Sequence, residues 1–246
     1  DCYVAAFFER ITYPVTLAAA EHGDIAPVDT LNPAHGDAIR LHIIADEGYE
    51  IASVEGCGGE LAGPLYTTAA VTEACNVTAS FRPQVFDISM NVSEGGKLTM
   101  AEGATREFGT QVVFAVAAKE GYELRSVSGC GGSLNGDGDY VISEMTGHCD
   151  INAYFGLRTY DITITVTSGG EVVYEETAPL THGSQQEILL VPEEGFAVES
   201  ASGCNGSLDG LVYTVAPESD CALDIVFRQV DSAPQNPEGD SAPQNP

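Results

Sequence analysis

The sequence predicts an all-β protein, built as a tandem array of three modules of about 73 residues that are each closed by a disulfide. A 17-residue window at residues 45–61 recurs without gaps at 118–134 and at 192–208. A segment near the end of each copy alternates apolar and polar residues, as a half-buried β-strand does. A pair of cysteines occupies the same two positions in every copy.

The repeated windows fix the alignment of the three copies. The positions that are identical in all three include Glu47/Glu120/Glu194, Gly48/Gly121/Gly195, Gly56/Gly129/Gly203 and Leu61/Leu134/Leu208. The pattern predicts strands at 13–20, 38–45, 49–54, 64–68 and 75–81, with matching sets in the other copies. Residues 93–96 and 168–170 predict hairpin turns, because their glycines supply the positive φ that tight hairpins need.

The predicted domains are repeat 1 at 11–84, repeat 2 at 85–157 and repeat 3 at 158–230. They abut with almost no linker, which favours a stiff array. Residues 1–10 place Cys2, Val4, Ala6 and Phe8 at the alternate positions of a closing strand, so they are predicted to be the last strand of a preceding repeat. Residues 231–246 are predicted to be an extended Pro-rich linker or tail, since they carry no large apolar residue.

The charge balance excludes one class of partner and disfavours another. Nine basic and 37 acidic residues give a formal net charge of −28. A surface that binds phosphates needs clustered Arg and Lys, so no nucleic-acid partner is expected. The same charge disfavours an anionic membrane surface. The longest apolar runs are seven residues, against the roughly 20 of a transmembrane helix, so no membrane insertion is expected in this segment. The acidic excess itself is interpreted as a solvated surface, with diffuse binding of divalent cations as the alternative.

The cysteines predict one disulfide in each repeat. The expected pairs are Cys57–Cys75, Cys130–Cys149 and Cys204–Cys221, which leaves Cys2 unpaired or available to another molecule. Metal sites are the rival interpretation. Zinc sites need paired ligands about two to four residues apart, and these cysteines are single. Disulfides indicate an oxidising location, so the segment is expected to be secreted, either extracellular or at the cell surface.

Residues 133–144 contain the one candidate metal loop. Asn135, Asp137, Asp139 and Glu144 present oxygen ligands at a spacing similar to that of a calcium loop. An ordinary turn is the favoured interpretation, because the matching segments of the other repeats lack the acids. Calcium therefore stays open as a weak alternative, and otherwise no cofactor is expected.

The sequence predicts no catalytic residues, so the chain is not expected to be an enzyme. Its five histidines (His22, His35, His42, His148 and His182) are interpreted as having no common spacing, either with one another or with a Ser or Cys nucleophile.

Three motifs carry a resemblance to a known family: E-G-Y-E-I at 47–51, G-C-G-G at 56–59 and V-T-A-S-F at 77–81. They resemble the divergent internalin-type B-repeats of secreted and surface proteins of bacteria, in a cysteine-containing variant that covers residues 11–230. The resemblance implies a compact β unit, with a β-grasp-like arrangement as one option, and brings no catalytic residues. Family members often carry a Trp where this chain has Val54, Val127 and Ala201.

The predicted function is that of a non-catalytic extracellular structural segment, such as a stalk, an adhesin segment or a filament component. Its expected partners are neighbouring repeats of the same protein, with head-to-tail self-association as an option. One alternative is a carbohydrate- or substrate-binding appendage of a secreted hydrolase, with Tyr3, Tyr154 and Tyr174 as candidate sugar-stacking residues. A second alternative is a calcium-rigidified spacer.

Overall fold

The computed structural model describes residues 2–174 and 179–230. These residues form 23 β-strands and no helix, which confirms the predicted all-β class with disulfide-containing modules. Within this part of the chain, no helix is long and apolar enough to cross a membrane. The predicted Pro-rich tail, residues 231–246, lies outside the described residues.

Repeats 1 and 2 each have seven strands in the same order, and repeat 3 adds two short strands to that order. In repeat 1 they are β1 Val15–Ala19, β2 Gly23–Pro27, β3 Arg40–Ala45, β4 Tyr49–Glu55, β5 Glu60–Ala62, β6 Leu65–Thr67 and β7 Cys75–Pro83. In repeat 2 they are β8 Ile88–Val92, β9 Gly96–Met100, β10 Val112–Ala118, β11 Tyr122–Gly129, β12 Ser133–Leu134, β13 Tyr140–Ile142 and β14 Cys149–Leu157. In repeat 3 they are β15 Thr159–Tyr160, β16 Ile162–Val166, β17 Gly170–Val173, β18 Leu180–Thr181, β19 Gln186–Pro192, β20 Phe196–Gly203, β21 Ser207–Asp209, β22 Val212–Val215 and β23 Cys221–Gln229.

Each repeat places seven of its strands in two sheets, and in repeat 3 the short strands β15 and β18 pair with each other as a third. In repeat 1 the three-stranded sheet has the order β1-β7-β4, and the four-stranded sheet has the order β2-β3-β6-β5. β7 is parallel to β1, with Val15 opposite Cys75, and antiparallel to β4. Repeat 3 shows the same arrangement, β16-β23-β20 and β17-β19-β22-β21. The closing strand of the repeat is therefore the centre of its smaller sheet.

The core of a repeat lies between its two sheets. Val77 and Ala79 project from β7 and are buried, as the alternating pattern of the closing strand predicts. Leu41 and Ile43 come from β3, and Tyr66 comes from β6. In repeat 3 the corresponding buried set includes Leu223, Ile225, Ile188, Leu190 and Tyr213. The same face of each strand is buried in both repeats.

The hairpins predicted at the glycine pairs are wrong. β8 and β9 flank residues 93–95 but belong to different sheets, as β16 and β17 do. The turn therefore carries the chain from one sheet to the other. A Cβ atom on Gly96 would lie 2.3 Å from the ring of Phe155, and one on Gly170 would lie 2.5 Å from the ring of Phe227. The second glycine is needed because a phenylalanine of the closing strand packs directly against it.

The described residues divide into two compact units, and the division passes through repeat 2. The first unit takes the described residues of Asp1–Asn91, Leu98–Val116 and Val127–Ala153. The second takes those of Val92–Lys97, Ala117–Ser126 and Tyr154–Pro246. The boundaries at 84/85 and 157/158 remain predictions from the sequence.

The N-terminal segment, residues 2–10, forms no strand within the described chain. Tyr3, Val4, Phe7 and Phe8 are each at least 93% exposed. The alternation that predicts a closing strand is thus present in the sequence, whereas its apolar face has no cover among the described residues.

Candidate functional site: the cysteine turn and the repeat junction

The cysteine turn, defined as residues 56–59, 129–132 and 203–206, holds consecutive residues in the left-handed region. In repeat 1 the φ angles are 118° at Gly56, 47° at Cys57 and 60° at Gly58. Repeat 3 has asparagine at the third position, Asn205, with φ of 50°. Asparagine tolerates this region better than other non-glycine residues, which explains the exchange.

The cysteine turn delivers one sulfur to the closing strand in each repeat. The structure joins Cys57 to Cys75, with 5.5 Å between the Cα atoms. It also joins Cys130 to Cys149 and Cys204 to Cys221, at 5.2 and 5.3 Å. Cys2 is free and exposed.

A tyrosine hydroxyl fixes the cysteine turn from within the core. Tyr66 donates to the carbonyl of Gly56 at 2.5 Å, and Tyr140 donates to that of Gly129 at 2.6 Å. Tyr213 donates to the carbonyl of Gly203 at 2.8 Å. The rings of all three are at most 2% exposed. The hydroxyl therefore gives a buried tyrosine its hydrogen-bond partner and orients the disulfide-bearing turn.

Replacing Tyr140 by phenylalanine is expected to cost about 1 kcal/mol of unfolding free energy, because one buried hydrogen bond is lost. Burial raises the pKa of Tyr140, an effect that the backbone of Gly132 partly opposes. The folded state therefore holds this proton more tightly than the unfolded state, whose tyrosine pKa is about 10. The resulting stability is present below that pH and is lost as the pH rises through the folded pKa.

Denaturant unfolding from pH 8 to 11, a range that brackets the tyrosine pKa of about 10, measures this effect. The wild type should lose stability above about pH 10 more steeply than Tyr140→Phe. Tyr154→Phe is the control, since Tyr154 is 58% exposed. Parallel pH curves for the wild type and Tyr140→Phe would contradict the assignment.

The candidate calcium loop is a turn with internal hydrogen bonds. The side-chain oxygen of Asn135 accepts the backbone N–H of Asp137 at 3.0 Å and that of Asp139 at 2.8 Å. Asp137 and Glu144 are exposed, and Asp139 is half-buried. No group of three or more His, Cys, Asp or Glu in the described part of the chain is placed to hold a metal ion.

Backbone hydrogen bonds connect successive repeats at a position we call the junction. The N–H of Gln84 donates to the carbonyl of Gly48, and the carbonyl of Gln84 accepts the N–H of Phe108, both at 2.8 Å. The next junction repeats both bonds at 2.8 Å, with Arg158 between Gly121 and His182. Gly48 and Gly121 belong to the upstream repeat, and Phe108 and His182 belong to the downstream repeat. The link is made by the backbone, so it does not depend on which side chain stands at 84 or 158.

A ring packs on the glycine of each junction. A Cβ atom on Gly48 would lie 2.2 Å from the ring of Phe108, and one on Gly121 would lie 2.0 Å from that of His182. Both glycines have positive φ, 80° and 75°. Phe108 also contacts the ring of Tyr49, with 5.9 Å between centroids. The glycine of the E-G-Y motif therefore provides a flat surface on which a ring from the following repeat packs.

The interpretation that the histidines have no common spacing is wrong for one pair. His35 and His182 lie 147 residues apart, which is two repeat lengths, and Phe108 occupies the position between them. His35 N–H donates to the carbonyl of Ile11 at 2.8 Å, as Phe108 does to Gln84. An aromatic or imidazole ring followed by glycine recurs at 35, 108 and 182, and this signal was available in the sequence.

In repeats 2 and 3, the side chain of the residue before the closing-strand cysteine accepts a hydrogen bond from a backbone N–H just before the first strand of the three-stranded sheet. Asp220 accepts the N–H of Asp161 at 3.0 Å, and His148 accepts that of Asp87 at 2.9 Å. The matching residue in repeat 1 is Pro14, which has no N–H to satisfy, and Ala74 stands at the capping position. Repeat 1 therefore lacks both the N–H donor and the side chain that would accept its hydrogen bond.

Two clefts lie beside the junctions, each within one compact unit. The larger, about 680 Å³, is lined by Glu50, Arg82, Phe86, Glu107 and His148, among others. Its arginine is paired with Glu50 at 2.7 Å. The smaller, about 370 Å³, lies between residues 118–121 and residues that include Arg158, Tyr160, His182 and Glu218. The lining of these two clefts includes no serine or cysteine nucleophile.

The candidate sugar-stacking tyrosines do not form a repeated surface. Tyr3 is 99% exposed in the N-terminal segment, and Tyr174 is 39% exposed. The positions that match Tyr154 in the other repeats are Ser80 and Val226. Among the described residues, these three tyrosines therefore form no aromatic surface that recurs with the repeats.

Fold and site together define a class of protein, the tandem-repeat protein whose all-β repeats are each closed by a disulfide. Residues 13–85 match the family model of the divergent InlB B-repeat domain, which confirms the predicted resemblance for the first repeat. A comparison with curated proteins finds no match for this chain.

Two solved structures of titin also align with the chain. An I-band fragment is 6% identical and covers 91% of this chain and 98% of its own, with a TM-score of 0.14. A three-immunoglobulin-domain structure with glutamate-to-alanine mutations is 7% identical and covers 92% and 98%, with a TM-score of 0.13. Scores this low carry no argument about this protein.

Proposed function

We propose that this chain is a non-catalytic structural segment of a secreted or surface protein, in which tandem repeats act as a spacer. The observation that carries the proposal is the pair of backbone hydrogen bonds that recurs at both junctions. A spacer needs repeats that transmit tension to one another, and a backbone link repeated in phase supplies that connection.

The disulfides support the same function at the level of a single repeat. Each of them ties the cysteine turn to the first residue of the closing strand, which is the central strand of its sheet. A stretched repeat therefore cannot release the residues between its two cysteines. Disulfides also persist in oxidising environments, which supports a location outside the cytoplasm. The net charge of −28 favours solubility there.

Single-molecule stretching of the chain between its ends tests the proposal. Under oxidising conditions we expect discrete unfolding steps that exclude the disulfide loops. Cys57 and Cys75 are 18 residues apart in sequence. Reduction should therefore lengthen the corresponding step by about 60 Å, at about 3.5 Å per residue.

Two outcomes would contradict the spacer function. One is a chain that extends without resolved steps. The other is a set of steps whose lengths do not change on reduction. Hydrolysis of a polysaccharide or peptide library by the purified chain, abolished by a single carboxylate substitution, would overturn its non-catalytic character.

A further inference from the structure

We propose that the smaller cleft, beside the second junction, binds a monocarboxylate that also carries hydroxyl groups, the chemistry of a single uronic-acid residue. Lys119 and Arg158 bind the carboxylate, and Glu120 and Glu218 accept hydrogen bonds from the hydroxyl groups. This inference goes beyond the spacer function and does not depend on it. It follows from comparing the two junctions, which share one backbone arrangement and differ in their charged side chains.

Basic side chains are rare in this chain, and the smaller cleft contains two of the unpaired ones. The chain has nine basic residues against 37 acidic ones. Lys119 and Arg158 form no ion pair with any described residue, yet both line the same cleft of about 370 Å³. Their charge is therefore available to a ligand. The basic residues that do pair with an acid are Arg40, Arg82, Arg106 and Arg125.

The charge of Arg158 is not needed for its contact with the rest of the protein. Its Nε donates to the carbonyl of Tyr122 at 3.1 Å. At the first junction the neutral side chain of Gln84 makes the matching bond, from its Nε2 to the carbonyl of Tyr49 at 3.2 Å. Arg158 adds two terminal nitrogens that have no hydrogen-bond partner among the described residues. A guanidinium can hold both oxygens of a carboxylate through such a pair of donors.

Two more positions differ between the junctions in the same direction. Lys119 stands where repeats 1 and 3 have Asp46 and Glu193. His182 stands where the first junction has Phe108, and its Nδ1 lies 3.1 Å from the hydroxyl of the buried Tyr160. When that hydroxyl donates to Nδ1, the other ring nitrogen carries the hydrogen and is a donor. All three differences give the second junction a cation or a polar donor that the first lacks.

The acids that line the smaller cleft determine the rest of the ligand. Glu120 and Glu218 are exposed, and neither forms an ion pair with a described residue. An ionised carboxylate only accepts hydrogen bonds, so it favours a ligand that donates from hydroxyl groups and disfavours one that carries a second negative charge. The cleft volume lies within the range of roughly 300–1,000 Å³ typical of small-molecule sites. A sugar acid with one carboxylate and several hydroxyl groups meets all these requirements.

The net charge of the chain opposes an anion at a distance and does not prevent contact in the cleft. The chain carries a formal charge of −28. At an ionic strength of about 0.15 M the Debye length is about 8 Å, so the repulsion from distant acids is largely screened. The contacts within the cleft therefore decide binding. For one sugar residue we expect a dissociation constant of about 1 mM.

An NMR titration of the ¹⁵N-labelled chain with methyl β-D-glucuronide tests the proposal. The backbone amide signals of Gly121 and His182 should shift together as the ligand is added, with a dissociation constant of about 1 mM. Those of Gly48 and Phe108 should not shift, because the arginine of the larger cleft, Arg82, is already paired with an acid. Methyl β-D-glucoside lacks the carboxylate and acetate lacks the hydroxyl groups, so each should bind at least about tenfold more weakly.

The variants take their residues from the first junction, so they remove the chemistry and keep the fold. Arg158→Gln and Lys119→Asp introduce the residue types found at 84 and 46, and each should weaken glucuronide binding at least about tenfold. Arg228→Gln and Lys97→Asp are the controls, since both residues are exposed, line neither cleft and change the net charge equally. The controls should bind like the parent, and all four variants should keep the urea midpoint of the parent.

Three results would overturn the proposal. The first is no shift at Gly121 or His182 up to about 20 mM glucuronide. The second is glucoside or acetate binding as tightly as glucuronide, because the carboxylate or the hydroxyl groups would then not be recognised. The third is an equal loss of binding in the controls, because only the overall charge would then matter. None of these results bears on the spacer function, which the stretching experiment tests separately.

Discussion

Replacing Gly203 by alanine is expected to destabilise repeat 3 by about 3 kcal/mol. Gly203 has φ of 129°, which an L-residue rarely adopts. An added Cβ would lie 2.0 Å from the carbonyl oxygen of Ala222. The Cβ is fixed to the backbone of β20, and the carbonyl oxygen belongs to the backbone of β23, the central strand of its sheet. No side chain can rotate to relieve the clash, so β20 and β23 must separate.

Gly210→Ala is the matched control for this prediction. Gly210 also has positive φ, 62°, but no described atom lies within 4 Å of its Cβ position. It should therefore cost only the left-handed penalty of about 1 kcal/mol. Equilibrium unfolding in urea compares the two variants, and similar losses for both would show that close approach at Gly203 is unimportant.

Removing the disulfide of repeat 1 with Cys57→Ser and Cys75→Ser is expected to cost about 3 kcal/mol. The bond closes a loop of 18 residues in sequence separation, and its loss restores that freedom to the unfolded chain. The repeat has a small core, so this is a large share of its stability. The loss should appear as a lower urea midpoint for the transition of repeat 1.

Cys2→Ser is the control for the double substitution, since Cys2 is exposed and free. It should leave the unfolding curve unchanged. If the double variant unfolds within about 0.5 kcal/mol of the wild type, the closed loop is not what stabilises the repeat.

The strands at the centre of each repeat could be predicted from the sequence because burial leaves a period-two pattern there. β7 alternates Val77 and Ala79 on its buried face with exposed residues between them. Two strands of repeat 1 were missed for a physical reason. β2 ends in Pro27 and buries only Ile25, and β5 has all three residues exposed. Both are edge strands that pair on one side only, where the sequence need not alternate.

The roles of the glycines could be predicted only in part. A positive φ at a turn can be predicted from the sequence, whereas the packing of a distant ring on a glycine cannot. The ring of Phe155 lies on Gly96 from 59 positions along the chain, and that of His182 lies on Gly121 from 61. Only the three-dimensional arrangement brings these pairs together, so the sequence alone predicts hairpins at the glycine pairs and does not predict the junction.

The ring of the junction could have been found by aligning the repeats over their full length. Residues 35–36, 108–109 and 182–183 read H-G, F-G and H-G at the repeat spacing. The three residues at this position are not identical, because two are histidine and one is phenylalanine. A comparison by residue type therefore does not recognise the position as repeated. Their shared property is a flat ring that packs on a glycine with positive φ.

Disulfide mapping of the intact chain tests the central claim, that each repeat is a separately closed unit, most directly. Proteolysis under non-reducing conditions and mass spectrometry of the linked peptides should find Cys57 with Cys75, Cys130 with Cys149, and Cys204 with Cys221. Cys2 should be recovered as a free thiol. A peptide linking Cys57 to Cys130 as the main species would contradict the claim, because the repeats would then be closed across their boundaries.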